Sequence, residues 1–420
     1  MAAADADGTT TGLVLSGGGA RAAYQVGVLS AIAQIRRDCA GGRANPFAVI
    51  AGTSAGAINA ATLACGSDDF DGTVATLREV WENFSAEQVY RADAIGLFRT
   101  GARWLSMLSI GWLVARWRHV RPRSLLDNAP LEGLLKRLVN VDRLQPMMEQ
   151  GHLQALAITA SSYGSGLHVT FYDALLDIEP WTRSQRIAVR ERIGVPHLLA
   201  SSAIPFVFPA VSLNLGGQSE YFGDGSMRQS APISPAVHLG ARRILVIGAG
   251  RMQEPPGPRA GSAEYPSLAQ IAGHALSSIF LDALAVDVER LKRINATLAL
   301  LPAAVRGETS LRPIEVLVIA PSQRLDDIAS RHLHNLPAAV RAMLRVVGVS
   351  GEGQDARGGA LASYLLFESP YTRELVALGI ADTMSRRDVV AGFFGWDRRS
   401  VSRSEPEVEP STFDLDNRLY

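Results

Sequence analysis

The stretch LVLSGGGARAAYQVGVL, Leu13 to Leu29, sets three consecutive glycines between an apolar run and a segment with helical spacing. Glycine inside regular structure costs about 0.5–1 kcal/mol relative to alanine. Three in a row therefore mark a place where bare backbone serves a purpose. At a turn from strand to helix such a run exposes N–H groups that can hold an anion, either a bound phosphate or a charge that exists only in a transition state. On this stretch alone both readings stay open.

Working outward, Leu13-Val14-Leu15 reads as a short strand, and Ala22, Val26, Leu29 and Ala33 recur at helical spacing within Ala20 to Arg37. Phe47 to Ala51 is a second apolar strand, and alanine-rich Ser54 to Ala64 a second helix. Two strand–turn–helix units in succession predict parallel strands covered by helices. Residues 69 to 150 read as mostly helical, with strands expected at Leu153–Ala160, His168–Tyr172, Arg243–Ile247 and Ile314–Ile319. Prolines and glycines make Arg251 to Pro266 a loop, a long helix is expected from Ser267 to Asn295, and the pattern beyond Pro321 is helical. Residues 397 to 420 hold too few apolar side chains to pack and read as a tail. There are no internal repeats.

Forty-one basic residues balance forty-one acidic ones over 420 positions, so no net field draws the molecule to nucleic acid, and any attraction to a charged surface must be local. Cys39 and Cys65 lack C-x-x-C spacing and a nearby His pair, which argues against a zinc site or a disulfide framework. No metal is expected. The opening MAAADADGTTTG lacks the basic start and apolar stretch of a secretory signal, so a cytoplasmic protein is expected. The most apolar window, Trp104 to Ala115, reaches about half the ~20 residues needed to span a bilayer.

The second strand runs into Gly52-Thr53-Ser54-Ala55-Gly56, a G-x-S-x-G between strand and helix. A serine on such a turn is forced outward, its flanking glycines relieve the strained backbone, and the following N–H groups can meet an oxyanion. The plainer reading is a tight turn with an N-cap serine. A serine hydroxyl becomes a good nucleophile only when a neighbouring base takes its proton. The eight histidines, His119, His152, His168, His197, His238, His274, His332 and His334, carry no local signature and read as structural or surface groups. Asp224, between glycines in Tyr221-Phe222-Gly223-Asp224-Gly225-Ser226, is the better partner, although D-G is also a common turn dipeptide.

Taken together, Gly17-Gly18-Gly19-Ala20-Arg21, Gly52 to Gly56 and Asp224-Gly225-Ser226 resemble the patatin-like phospholipase family, whose pattern is a G-G-G-x-R loop, a G-x-S-x-G nucleophile and a D-G-G/A motif. Ser226 departs from the last of these while leaving the carboxylate in place. ASSAIPFVFP, Ala200 to Pro209, is also similar to the family's segment before that aspartate, and the resemblance covers roughly residues 11 to 240. It implies a Ser-Asp dyad: Ser54 attacks an ester carbonyl, Asp224 takes its proton, and no histidine takes part. An aspartate of ordinary pKa near 4 is a weak base, so the oxyanion must be strongly stabilised. The resemblance gives that task to Gly17, Gly18 and Gly19, with the amides of Gly18 and Gly19 facing the intermediate. Gly52, Gly56 and Gly225 support the turns. Arg21 reads mainly as holding the loop's shape, with a lipid phosphate contact as the lesser reading.

A rival for the loop is a dinucleotide fingerprint, Gly17-x-Gly19-x-x-Ala22, with Asp38 at about the right distance for a ribose. The ribose-binding acid belongs at the end of the second strand. That place is taken by the serine turn.

Arg99 to Arg123 holds six arginines, three tryptophans and no acidic residue. Arginine and tryptophan flanking a short apolar helix suit the edge of a bilayer. A core or interface helix with solvated ends fits the same pattern and is slightly favoured.

These readings converge on a three-layer α/β/α patatin-like fold with a largely parallel central sheet and a helical C-terminal extension. Residues 1–10 are expected to be disordered, 11–320 to form the lipid acyl hydrolase domain, 321–396 the helical extension and 397–420 the polar tail. The expected activity is hydrolysis of lipid carboxylic esters through acyl-Ser54, without a cofactor. Peripheral membrane contact would run through 99–123. Acyl transfer by the same dyad and a non-catalytic lipid-binding role are the alternatives.

Overall fold

Alternation along short buried strands decides the architecture. The structure, a computed structural model, describes residues 10–39, 44–91, 124–252, 265–306, 308–349 and 358–396. Its strands are β1 (Thr11–Leu15), β2 (Val49–Thr53), β3 (Ala155–Ser162), β4 (His168–Ala174), β5 (Thr182–Arg183), β6 (Arg186–Arg190), β7 (Val211–Leu215), β8 (Gln218–Asp224), β9 (Arg243–Ile247) and β10 (Glu315–Ile319). Leu13 and Leu15, Ile50, Leu156 and Ile158, and Leu245 and Ile247 enter one core. Val14, Val49 and Ala51, Ala155 and Ala157, and Ile244 and Val246 enter the other. Strands apolar on both faces must be covered on both faces, which makes three layers.

The sheet runs β10-β9-β1-β2-β3-β4-β6-β5, and the half from β10 to β3 is parallel throughout. β4 then pairs antiparallel with β3 and parallel with β6. Where β2 ends beside Thr159, β8 takes its place along β3, pairing Asp224 with Ala160. This arrangement is the mixed α/β architecture with a mostly parallel sheet that the sequence predicts.

The helices that matter for the site are α1 (Ala23–Cys39), α2 (Ala55–Cys65), α3 (Phe70–Glu82), α4 (Ala129–Leu138), α5 (Val195–Ser201), α6 (Leu268–Ser277), α7 (Ala283–Leu300), α8 (Leu325–Arg331), α9 (Gly359–Ser363), α10 (Ser369–Met384) and α11 (Arg387–Phe394). α10 lies against α1 at a crossing of two glycines. A Cβ on Gly27 would overlap the Val376 carbonyl, and one on Gly379 would overlap the Tyr24 carbonyl. The Tyr24 hydroxyl also donates to Asp382 at 3.0 Å.

Several boundaries differ from the sequence reading. The first helix begins with a 3₁₀ turn at Gly19–Ala22, because the glycine run must bend before α-helical bonding starts. β5 to β8 lie outside the sequence reading: β5 is two polar residues, and β6 to β8 mix apolar with polar side chains and are partly exposed, so no continuous apolar run marks them. The helix expected from Ser267 runs from Leu268 to Leu300, with a π-helical turn at Ser278–Asp282 joining α6 to α7. By length and composition this 33-residue run could cross a membrane, which the sequence reading did not anticipate because charges interrupt its C-terminal half. Its buried positions, among them Ala269, Gly273, Phe280, Leu284 and Val288, pack onto the domain. The 99–123 segment, the 397–420 tail and residues 1–9 lie outside the described residues.

Candidate active site

β2 delivers Ser54 to the end of the parallel sheet, where open α/β sheets place ligands. Ser54 has φ 56° and ψ −133°, a positive φ that a non-glycine residue adopts at a cost of about 1–3 kcal/mol when the surroundings enforce it. The surroundings here are α2 and β1. A Cβ on Gly52 would come within 2.6 Å of the Gly56 carbonyl, and one on Gly56 within 2.5 Å of the Leu15 and Ser16 carbonyls. Both glycines of the pentapeptide are therefore set by close packing of the first turn of α2. The Ser54 amide donates to Ser201 Oγ at 2.9 Å, fixing the turn from α5.

Asp224 closes β8 and is fully buried. Its Oδ2 accepts from Ser54 Oγ at 2.5 Å, and its Oδ1 accepts from the Ser226 amide at 2.9 Å. Gly225 lies so close to Thr159 that a Cβ would overlap the threonine carbonyl. Burial pushes the Asp224 carboxyl up to about 6, and the hydrogen bonds from Ser54 and Ser226 hold it from going further. The carboxylate is thus a stronger base than an exposed aspartate. Among the described residues no histidine hydrogen-bonds to Ser54 or Asp224; His168, buried on β4, is pushed down to about 4 by desolvation and stays neutral.

The glycine loop lies beside the serine. A Cβ on Gly17 would stand 3.0 Å from Ser54 Cβ and 3.0 Å from Phe280 Cδ1, and would overlap Ser226 Oγ. Among the described residues the amides of Gly17, Gly18 and Gly19 have no hydrogen-bond acceptor. Their neighbours are taken: Ser16 N–H donates to the Ile247 carbonyl at 3.3 Å and Ala20 N–H to the Tyr364 carbonyl at 3.1 Å. Preorganised amide donors left free beside a serine hydroxyl are groups that could stabilise a developing oxyanion. Arg21 is buried and turned inward, with Nη2 2.5 Å from Asp326 Oδ1 and Nε donating to Ser363 Oγ at 2.8 Å. Asp38, the residue of the dinucleotide reading, sits on α1 and pairs with Arg387 at 3.1 Å.

One feature of the site escaped the sequence altogether. A narrow pocket opens at Gly19, Ser54 and Ala55 and continues between Ile58 of α2, Trp81 of α3, Leu131, Leu134 and Leu138 of α4, Phe208 and Phe367. The Trp81 indole N–H is satisfied by Asn59 Oδ1 at 2.9 Å, so it places no unmet donor among these apolar walls. An apolar lining with few polar groups is the usual make-up of a ligand pocket. The walls of this one come from segments spread over about three hundred and fifty positions, from Gly19 to Phe367, each of which reads in sequence as ordinary core.

The family model of patatin-like phospholipases matches residues 13–237, more than half of the chain. Among solved structures, human GIVD cytosolic phospholipase A2 with a fluorophosphonate inhibitor is similar at 15% identity, covering 93% of this chain and 60% of its own, with a TM-score of 0.39. VipD from Legionella pneumophila is similar at 14% identity over 90% of this chain and 67% of its own, with a TM-score of 0.33. ExoU of Pseudomonas aeruginosa, in complex with SpcU, is similar at 15% identity over 88% of this chain and 70% of its own, with a TM-score of 0.24. The chain thus spans about three fifths of the human enzyme's length. A comparison with curated proteins gives no match.

Proposed function

The chain belongs to the patatin-like phospholipase family, and on that premise we propose that it hydrolyses carboxylic esters of lipids through an acyl-Ser54 intermediate. The observation that carries this reading is the 2.5 Å hydrogen bond from Ser54 Oγ to a buried carboxylate whose basicity is raised by its surroundings.

In the first step Asp224 accepts the hydroxyl proton as Ser54 Oγ bonds to the ester carbonyl carbon. The carbonyl oxygen becomes an oxyanion facing the free amides of the Gly17–Gly19 loop. Collapse of the intermediate breaks the ester bond, and Asp224 returns the proton to the departing alcohol. Water then attacks the acyl-serine with Asp224 again taking a proton, which it passes to Ser54 Oγ as the fatty acid leaves. Losing one preorganised oxyanion donor typically raises a barrier by about 3–4 kcal/mol, which explains why bare backbone is placed there. The apolar channel would hold the acyl chain, each buried methylene contributing about 0.8 kcal/mol.

The test is release of free fatty acid from phospholipid vesicles and from soluble short-chain esters. Release by wild type that disappears in Ser54→Ala and in Asp224→Asn supports the reading. Acyl groups recovered mainly on an added alcohol would make the protein a transferase with the same dyad. No turnover of either kind by folded protein would contradict both.

A further inference from the structure

We propose that Asp326 and Tyr364 are positioning residues for the oxyanion loop, acting through Arg21 and Ala20, so that the segment beyond residue 320 completes the catalytic unit. This rests on the reading of Gly17–Gly19 as oxyanion donors.

A loop of three glycines has more backbone freedom to lose than any other sequence, whereas oxyanion stabilisation depends on donors fixed before the reaction. Something must therefore hold the loop. α1 holds it only from Ala23 onward. Gln25 donates to the Ser16 carbonyl at 2.7 Å and Ser16 N–H to the Ile247 carbonyl at 3.3 Å, which hold the entry to the loop, and further restraints on Gly19 to Arg21 come from the far end of the chain. Tyr364 carbonyl accepts the Ala20 amide at 3.1 Å and lies so close to Gly19 that a Cβ there would overlap it; Gly19 accordingly has φ +55°. The Tyr364 ring lies 4.0 Å from the Arg21 guanidinium and stacks on Phe280 at 4.9 Å between centroids. Phe280 in turn borders Gly17. One residue thus touches the loop at Gly19, Ala20 and Arg21 directly and reaches Gly17 through Phe280.

Arg21 is 2% exposed, so its charge needs a desolvated partner to stay folded in place. Asp326 supplies it at 2.5 Å, with Ser363 Oγ on Nε and the Ala360 carbonyl 3.4 Å from Nη2. Asp326, Ser363 and Tyr364 all lie beyond residue 237, where the family match ends. The clamp therefore joins a basic residue inside the matched region to partners beyond it.

The experiment uses the full chain with Asp326→Asn, Tyr364→Leu and Tyr364→Phe. Amide hydrogen exchange of the peptide spanning residues 13–24 reports the loop, and kcat and KM on a soluble short-chain ester report the chemistry. Asp326→Asn and Tyr364→Leu are expected to speed exchange at Ala20 at least about tenfold and to lower kcat by roughly ten- to a hundredfold, with KM within about threefold. Tyr364→Phe keeps the ring and the carbonyl and is expected to match wild type. Should Tyr364→Leu fail to fold, Asp326→Asn, which preserves volume and an acceptor, carries the test. Unchanged exchange in both variants overturns the clamp, and faster exchange with wild-type kcat overturns its role in positioning. Wild type without esterase turnover, with loop exchange still accelerated in the variants, would overturn the hydrolase reading and leave the clamp standing.

Discussion

Ser54 Oγ donates to Asp224 Oδ2 over 2.5 Å although 170 residues separate them. β3 is the reason: Thr53 of β2 pairs with Thr159, and Asp224 of β8 pairs with the next residue, Ala160. Two strands that end on the same strand, one residue apart, bring their last side chains together. The threonine hydroxyls of Thr53 and Thr159 tie the junction at 2.7 Å, and Gln229 adds a hydrogen bond to Thr53 at 2.8 Å.

The pH dependence of turnover follows from the Asp224 carboxyl, raised by burial to about 6. Only the ionised form takes a proton, so activity should rise as pH increases through that value and level off above it. A profile of kcat/KM on a soluble ester should show an acidic limb with an apparent pKa near 6. A limb near 4 would mean that the carboxylate is not desolvated in the free enzyme.

Stability should move the opposite way. The folded-state carboxyl lies above its unfolded value, so the native form binds a proton that the unfolded chain releases, and this group's contribution weakens as pH rises from about 4 to about 6. Asp224→Asn removes the buried charge. The variant should be inactive yet more stable than wild type at pH 8, by on the order of 1–3 kcal/mol, with the gain shrinking by pH 4. Denaturant melts at both pH values measure this, and a variant less stable than wild type at pH 8 would refute it.

Gly17→Ala puts a methyl group against Ser54, Phe280 and Ser226 at once. The loop can accept it only by moving away from the serine. A fall in kcat of about a hundredfold or more is expected, with little change in KM, because the lost donors act on the transition state. Wild-type kcat in this variant would mean that the loop does not serve the oxyanion.

The channel behind Ser54 should set chain-length preference. Leu134→Trp adds bulk to a wall that Leu134 shares with Trp81 and Phe208. Long-chain esters should lose roughly ten- to a hundredfold in kcat/KM relative to butyrate esters, the worth of about two to three buried methylenes. An unchanged ratio across a chain-length series would place the acyl chain elsewhere.

The parts of the site that could be read in the sequence are those with local form. The glycine run and the serine turn announce themselves because strained backbone demands particular residues at consecutive positions. Asp224 is different: its flanking glycines mark it as a candidate base, but a D-G turn is common, and the resemblance decides for it because its meaning depends on β8 meeting β3. The channel and the Arg21 clamp had no local form at all. Trp81, Leu134 and Phe367 each look like core residues, and Asp326 and Tyr364 stand more than three hundred positions from the loop they touch. The central strands were legible because they are apolar on both faces. β5 to β8 are harder to read, because they are short and partly exposed: even the alternation of Val211-Ser212-Leu213-Asn214-Leu215 makes no continuous apolar run.

The most direct measurement is mass spectrometry of enzyme quenched within the first turnovers on a long-chain ester. An acyl mass on the peptide containing Ser54, absent from Ser54→Ala and greatly slowed in Asp224→Asn, is the expected result. An acyl group on another residue, or free fatty acid produced undiminished by Ser54→Ala, would contradict it.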